Sequence, residues 1–265
     1  MPTTIDWLTS RRICAVVSLL ALLGTTGIAH ALPSISVAPG TSPAGYLPLT
    51  LFGVTPITGV TNDGVENLSV PSFQYAGESW TSVGFASNGF LIVGGGSNGT
   101  AVNQSLPDPA GPNNVLAPFW TDLDPTAGGG LRAATLTDGV DTWIVLEWSG
   151  VPEATDGAIT NVQVWIGING VEDITFAYDP AIPVGNGNGG LLTIGAEDKT
   201  GTVGGLFYFN GIGTLPEEDL RVTTTDLPVA QAPEPPSLLL LGIALVGLAG
   251  WRLGAPGARR RIMLR

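Results

Sequence analysis

Histidine and cysteine are scarce in this sequence. The 265 residues include one histidine, His30, and one cysteine, Cys14, and neither type occurs between residues 32 and 232. This span therefore lacks a disulfide, a Ser-His-Asp or Cys-His triad, and a metal site with His or Cys ligands. A carboxylate pair that hydrolyses glycosides remains chemically open, but acidic residues are too abundant to single one out. We expect a protein that is not an enzyme.

Positive charge is also scarce in the same span. Its only basic residues are Arg132, Lys199 and Arg221, against twenty acidic residues, so its net charge is −17. Such a surface repels nucleic acid and anionic lipid, and it attracts divalent cations. The charge therefore excludes nucleic acid as a partner and leaves calcium open as a ligand.

The N-terminus has the three parts of a secretory signal peptide. Arg11 and Arg12 precede an apolar run over residues 13–23, and small residues lead to Ala29-His30-Ala31. This order predicts a signal peptide over residues 1–31 that is cut after Ala31. An uncleaved anchor is the alternative, but the apolar run is short for a membrane span. We expect the following domain to be exported.

Short alternating apolar runs fill residues 32–222. Residues 142–148 and 161–168 alternate with the period of two that is typical of strands. Asp138-Gly139 predicts the turn of a hairpin between 131–137 and 142–148, and Asn169-Gly170 predicts a two-residue hairpin turn after 161–168. Further strands are expected at 82–86, 90–93, 174–178, 191–196, 206–209 and 221–225. The pattern predicts an all-β, antiparallel β-sandwich or barrel-like domain, flanked by the signal peptide and a C-terminal transmembrane helix.

The C-terminus combines three features in a fixed order. Pro233, Glu234 and Pro235 end a polar linker over residues 223–236, and residues 237–253 are almost wholly apolar. Five arginines close the chain: Arg252, Arg259, Arg260, Arg261 and Arg265. As a helix the 17-residue apolar run would be about 25 Å long, close to the minimum for a membrane span. The arginines are expected to hold its end in the cytoplasm.

This order resembles the PEP-CTERM sorting signal of Gram-negative bacteria. The resemblance covers about the last thirty residues and implies a partner, an exosortase-type membrane enzyme that cuts near Pro233-Glu234-Pro235. The protein would then pass transiently through the inner membrane on residues 237–265 and reach the cell surface or the extracellular matrix. A plain C-terminal anchor is the alternative.

A second resemblance lies in the body of the chain. Residues 87–91 read S-N-G-F-L, residues 117–124 read A-P-F-W-T-D-L-D, and Gly195-Ala196-Glu197-Asp198 follows near the end. Together these pieces resemble an extracellular β-module found beside secreted bacterial proteases and the nidogen-type domain of matrix proteins, over roughly residues 68–210. The resemblance implies a non-enzymatic surface or matrix protein and brings no catalytic residue with it.

Two aspartates are candidate metal ligands. Asp122 and Asp124 lie two residues apart in a predicted loop, with Asn113 and Asn114 upstream. Oxygen ligands of this kind suit Ca²⁺, which accepts six to eight of them. The alternative is that the aspartates cap a turn by accepting backbone N–H bonds. The sequence leaves both interpretations open.

The tryptophans of the body suggest an alternative function. Five are present, and aromatic side chains exposed together on one sheet face stack on sugars; they are Trp80, Trp120, Trp143, Trp148 and Trp165. A carbohydrate-binding module acting on exopolysaccharide is therefore the alternative to a surface or matrix protein. Exposed, coplanar tryptophans would favour the former, and buried ones the latter.

Overall fold

A computed structural model describes residues 33–225, which form thirteen β-strands and two short 3₁₀ helices. The strands are β1 (Ser34–Pro39), β2 (Val65–Tyr75), β3 (Glu78–Ala86), β4 (Phe90–Val93), β5 (Val115–Trp120), β6 (Gly130–Thr137), β7 (Thr142–Ser149), β8 (Val162–Gly167), β9 (Ile174–Tyr178), β10 (Thr193–Glu197), β11 (Gly204–Phe209), β12 (Ile212–Gly213) and β13 (Leu220–Thr225). The 3₁₀ helices are Leu49–Phe52 and Asn188–Gly190.

The strands form two antiparallel sheets. The first sheet has the order β1-β13-β9-β8-β7-β6, and the second has the order β12-β11-β10-β5-β4-β3-β2. Most neighbours in the sheets are also neighbours in sequence, because short turns connect antiparallel strands. The exceptions join distant parts of the chain: β13 lies between β1 and β9, and β10 lies beside β5.

The main core lies between the sheets. Alternate residues of β7 point into it, so Ile144, Leu146 and Trp148 are buried there. Trp148 packs edge-to-face on Phe85 of the second sheet, with 4.6 Å between ring centroids, and its Nε1 donates to the Ala86 carbonyl oxygen at 2.9 Å. This tryptophan therefore joins the two layers by both packing and a hydrogen bond.

Long loops bury part of each outer face. Leu49 lies over Val145 and Trp165 on the first sheet. On the second sheet, Leu106 of the loop packs in a cluster with Trp120. Side chains that point away from the main core are therefore still buried in these two places, which explains the strands that are buried on both faces.

The structure confirms the all-β, antiparallel prediction. Every run that was expected to form a strand lies in a strand or overlaps one, and the hairpin at Asp138-Gly139 joins β6 to β7. The prediction of a two-residue turn at Asn169-Gly170 is wrong. The Gly167 N–H bonds the Asp173 carbonyl oxygen, so a longer loop separates β8 from β9. The alternation stops at the residue before Ile168. The Ile168 N–H donates to the Thr142 carbonyl oxygen and not to the strand that follows.

Two further predictions concern the targeting segments at the two ends of the chain. The signal peptide (1–31) and the sorting tail with Pro233, Glu234 and Pro235 lie outside the described residues. Strand β13 continues through Thr225, three residues beyond the predicted end of the domain at residue 222. Neither 3₁₀ helix within residues 33–225 has the length or apolar character to cross a membrane.

Candidate functional site

The two sequence motifs of the body meet at one end of the sandwich. S-N-G-F-L begins at the turn between β3 and β4, and A-P-F-W-T-D-L-D runs from β5 into the loop after it. Phe119 N–H donates to the Gly89 carbonyl oxygen at 3.2 Å, and Thr121 N–H donates to the Asn88 carbonyl oxygen at 3.2 Å. The motifs therefore form one hydrogen-bonded unit, which we call the motif junction (residues 87–89 with 119–124).

Asn88 is the centre of the motif junction. Its side chain is fully buried, and its Oδ1 accepts from Leu123 N–H at 2.8 Å. Its Nδ2 donates to Asp63 Oδ1 at 2.7 Å and to the Gly99 carbonyl oxygen at 2.6 Å. Asn88 thus connects three separate loops, with both amide hydrogens used.

Gly89, the glycine of the first motif, has no space for a side chain. Gly89 has φ of 77°, and a Cβ there would lie 1.9 Å from the Phe119 carbonyl oxygen. Any larger residue would clash with the backbone of the second motif. The S-N-G and F-W-T-D-L residues therefore serve first to hold the two segments together.

Asp124, one of the two candidate calcium ligands, caps a turn. Its Oδ1 accepts from Thr126 N–H at 2.8 Å and from Thr126 Oγ1 at 2.6 Å. These hydrogen bonds lower the pKa of Asp124, because they stabilise its charged form. This geometry matches the turn-capping interpretation for that residue.

Asp122 is in a different environment. Among residues 33–225, the only side-chain hydrogen bond to Asp122 is a long one of 3.4 Å, from Nδ2 of Asn188 to its Oδ2. Burial raises the pKa of Asp122, and the charges of Asp63 and Asp124 raise it further. Asp122 therefore has acidic neighbours, whose negative charge a cation would neutralise. Its carboxylate can also accept further bonds.

The upstream asparagines do not join the aspartates. Asn113 and Asn114 precede the six-residue strand β5, whereas Asp122 and Asp124 follow it, so the pairs lie roughly 20 Å apart. Asn114 instead donates to the Val93 carbonyl oxygen at 2.7 Å. Among residues 33–225, no group of three or more Asp and Glu side chains is placed to hold a metal ion. The calcium hypothesis thus rests on Asp122 and Asp124 with backbone oxygens.

Two of the three buried glutamates, Glu153 and Glu197, were not singled out from the sequence as candidate site residues. Glu197 is fully buried on β10, where its Oε2 accepts from Asp108 N–H at 2.8 Å and its Oε1 has no partner among the described residues. Glu153 is 2% exposed, and its Oε1 likewise has no hydrogen-bond partner in the part of the chain that the structure describes. Burial raises the pKa of each to about 7. The only sequence signal for this burial is the alternation along β10, which places the Glu197 side chain on the face that the loop covers.

An open cleft of about 750 Å³ lies beside the first sheet. It is lined by tyrosines, prolines and four acidic residues, Asp179, Glu217, Glu218 and Asp219. Asp179 accepts from Asn161 Nδ2 at 2.9 Å, and Asp219 accepts from Tyr178 N–H at 3.2 Å, so both have structural roles. Burial raises the pKa of Tyr46 and Tyr178, so their hydroxyls stay protonated and neither is a base. The cleft is suited to admitting a cationic group and has no activated nucleophile.

The tryptophans do not form a flat platform. Trp120, Trp148 and Trp165 are buried, and Trp80 and Trp143 are partly exposed. Trp143 and Trp165 meet edge-to-face, at 68° and 6.1 Å between centroids. By the criterion of exposed coplanar rings, the arrangement favours core packing over stacking on sugars.

Comparison with known proteins gives one match. A family model described as "NIDO related" matches residues 40–233, which is more than half of the 265-residue chain. No curated protein and no solved structure matches the chain. The match includes both motifs, so it agrees with the nidogen-type resemblance of the body.

Proposed function

The chain belongs to the NIDO-related family, and we propose that it is an exported, non-enzymatic module of the bacterial cell surface or extracellular matrix. The NIDO-related match fits an extracellular β-module. The observation that carries the proposal is the motif junction, in which the motif residues hold the fold together: Asn88 is fully buried and Gly89 touches backbone. A module whose motifs are structural acts by presenting its surface to partners.

The chemistry of the described residues supports a non-enzymatic role. Residues 33–225 contain no histidine or cysteine, which removes the commonest general bases and nucleophiles. The two glutamates with a raised pKa, Glu153 and Glu197, are buried, at 2% and 0% exposure. A buried carboxyl that water cannot reach is poorly placed to act on a substrate.

The sorting step of the proposal rests on the C-terminal sequence. Pro233-Glu234-Pro235, the apolar run and the terminal arginines resemble a PEP-CTERM signal. An exosortase-type enzyme is then the processing partner, and residues 237–265 hold the protein in the inner membrane until it is cut. The freed domain reaches the surface or the matrix, where exopolysaccharide and other matrix components are its candidate partners.

Cell fractionation in the native host tests this sorting. Deleting residues 237–265 should release the domain into the medium unsorted, because nothing holds it at the membrane. Replacing Pro233, Glu234 and Pro235 with alanine should trap full-length protein in the membrane, because the apolar segment remains. Mass spectrometry of the wild-type protein should find a C-terminus near Pro235. A C-terminus at Arg265 would mean that the tail is an ordinary membrane anchor.

Carbohydrate binding is the second candidate. Trp143, Phe52 and Leu136 line a groove of about 170 Å³, and Phe52 is 53% exposed. These side chains offer apolar contact to a sugar ring, although the tryptophans are not coplanar. A glycan array on the purified domain, with and without Ca²⁺, tests this function. Binding that is lost in Trp143→Ala and kept in Trp80→Ala would favour it over the matrix-protein proposal.

A further inference from the structure

Asparagine is followed by glycine at six places in the domain. Asparagine is a thermolabile residue, because the backbone nitrogen of the next residue can attack its side-chain amide. Glycine leaves that nitrogen unhindered, since it has no Cβ. The reaction also needs room for the peptide to turn and an amide that is free to move. The six pairs begin at Asn88, Asn98, Asn169, Asn186, Asn188 and Asn210.

In three of the pairs the glycine is packed tightly against backbone. A Cβ would lie 1.9 Å from a backbone oxygen at Gly89, 2.5 Å at Gly99 and 2.7 Å at Gly187. Such close packing opposes the rotation of the peptide that brings its nitrogen to the amide carbon. In the other three pairs a Cβ would meet nothing within 4 Å; these glycines are Gly170, Gly189 and Gly211.

Two of the three pairs with an open glycine have a side-chain amide that is held in place. Asn188 Oδ1 accepts from Thr155 N–H at 2.7 Å. Asn210 Oδ1 accepts from Leu192 N–H at 2.9 Å and from Asn103 Nδ2 at 2.8 Å. These hydrogen bonds fix the amide carbon and must break before it can be attacked.

Asn169 has the least restrained amide of the three. Asn169 and Gly170 are both exposed, and among residues 33–225 the only hydrogen bond to the Asn169 side chain is a longer one, 3.2 Å, from Val171 N–H to Oδ1. A donor at this oxygen also stabilises the negative charge that develops there when the amide carbon is attacked. Asn169-Gly170 therefore combines an open glycine, a weakly held amide and access to water.

We propose that Asn169-Gly170 is a site of spontaneous modification, at which Asn169 becomes a mixture of isoaspartate and aspartate. The Gly170 nitrogen loses its proton to a base in solution and attacks Asn169 Cγ. The Cγ–Nδ2 bond breaks, and Nδ2 leaves as ammonia. Water then opens the succinimide ring: hydrolysis at the main-chain carbonyl gives isoaspartate, and hydrolysis at the side-chain carbonyl gives aspartate. The reaction needs no oxidant, reductant or enzyme.

The modified residue lies close to a contact between the two sheets. Glu172, in the same loop, accepts from Ala76 N–H in the β2–β3 turn at 2.8 Å and from Thr224 N–H in β13 at 2.7 Å. Isoaspartate lengthens the main chain of this loop by a methylene group, and both products add a negative charge. The product therefore differs from the parent protein in loop length and charge beside this contact.

Peptide mapping by mass spectrometry of the full chain, kept folded in a neutral detergent, tests the proposal. Asn188 is the matched control, because it has the same following residue and an equally open glycine. Asn169 should convert at least about tenfold faster than Asn188, since the Asn188 amide must first be released by local opening. The rate at Asn169 should rise with pH, because the Gly170 nitrogen must lose a proton. An isoaspartyl methyltransferase should label the product.

The same measurement in guanidinium chloride separates structure from local sequence. In the unfolded chain Asn169 and Asn188 should convert at similar rates, because the restraint on Asn188 is gone. Asn169→Gln should abolish the modification at this position, since its longer side chain would have to close a larger ring. Equal rates at Asn169 and Asn188 in the folded protein overturn the proposal, as does a product that contains aspartate without isoaspartate. A rate difference that persists in guanidinium chloride would show that the fold does not select the site.

Discussion

Asn88 and Leu123 are joined by a buried hydrogen bond of 2.8 Å, from the Leu123 N–H to the Asn88 side-chain oxygen, although 35 positions separate them. The same amide also binds Asp63 and Gly99. This one side chain therefore determines how the loop after β5 meets the turn between β3 and β4. It explains why the S-N-G-F-L and A-P-F-W-T-D-L-D pieces occur together in the chain.

Removing the Asn88 amide should destabilise the domain strongly. Asn88→Ala loses three hydrogen bonds, two of them fully buried, and leaves the Leu123 N–H without an acceptor, which we expect to cost about 3 kcal/mol of unfolding free energy. Urea denaturation of the purified domain, residues 32–232, measures it. Asn186→Ala is the control, because Asn186 is exposed, and its effect should stay within about 0.5 kcal/mol.

Asn88→Asp sharpens the same test. It keeps the acceptor for Leu123 but replaces the donor that faces the Asp63 carboxylate at 2.7 Å. Two carboxylates at that distance repel, so Asn88→Asp should be at least as destabilising as Asn88→Ala. A stable Asn88→Asp domain would contradict the role assigned to Nδ2.

The strands were predictable from sequence, whereas the burial of outer faces by distant loops was not. The alternation in β7 placed Trp143 and Trp148 on opposite faces, as the structure has them. The burial of Glu147 was not predictable. It depends on a distant loop, from which the Tyr46 hydroxyl donates to Glu147 Oε1 at 2.8 Å. Alternation is local in sequence, but loops that cover an outer face follow from tertiary packing.

The two tryptophans of β7 should respond differently to the same substitution. Trp148→Phe removes the N–H that bonds the Ala86 carbonyl oxygen between the sheets, and we expect a loss of about 2 kcal/mol. Trp143→Phe removes an Nε1 with no acceptor among the described residues, so its cost should stay below about 1 kcal/mol. Urea denaturation compares them. Equal losses would show that ring volume, and not the hydrogen bond, accounts for the effect.

Calcium bound in the loop after β5 is expected to act through Asp122. Ligation would raise the melting temperature in millimolar Ca²⁺, because the ion binds the folded state. Asp122→Asn with Asp124→Asn should abolish the increase. Asp124→Ala alone tests the cap, since it removes the Oδ1 that accepts from Thr126 N–H and Oγ1. An unchanged wild-type melting temperature in Ca²⁺ leaves turn capping as the role of both aspartates.

Stability should fall as the pH rises from about 4.5 to above 7. In the folded domain burial raises the pKa of Glu153 and Glu197 from the usual 4.5 to about 7. Within this range the folded state therefore binds more protons than the unfolded state, so raising the pH favours unfolding. Asp124 and Asp138 have a lowered pKa, and their opposite effect acts below the usual value of 3.8 and outside this range.

The two glutamates can be separated by amide substitution. A shift from 4.5 to about 7 corresponds to an upper limit of about 3 kcal/mol for each group. Glu197→Gln mimics the protonated form and keeps an acceptor for the Asp108 N–H. It should remove the part of the pH dependence that belongs to Glu197, and Glu153→Gln with Glu197→Gln should remove most of it. Urea denaturation at pH 5 and pH 8 measures the difference, with the exposed Glu218→Gln as control. An undiminished fall in the double variant would mean that other groups carry the pH dependence.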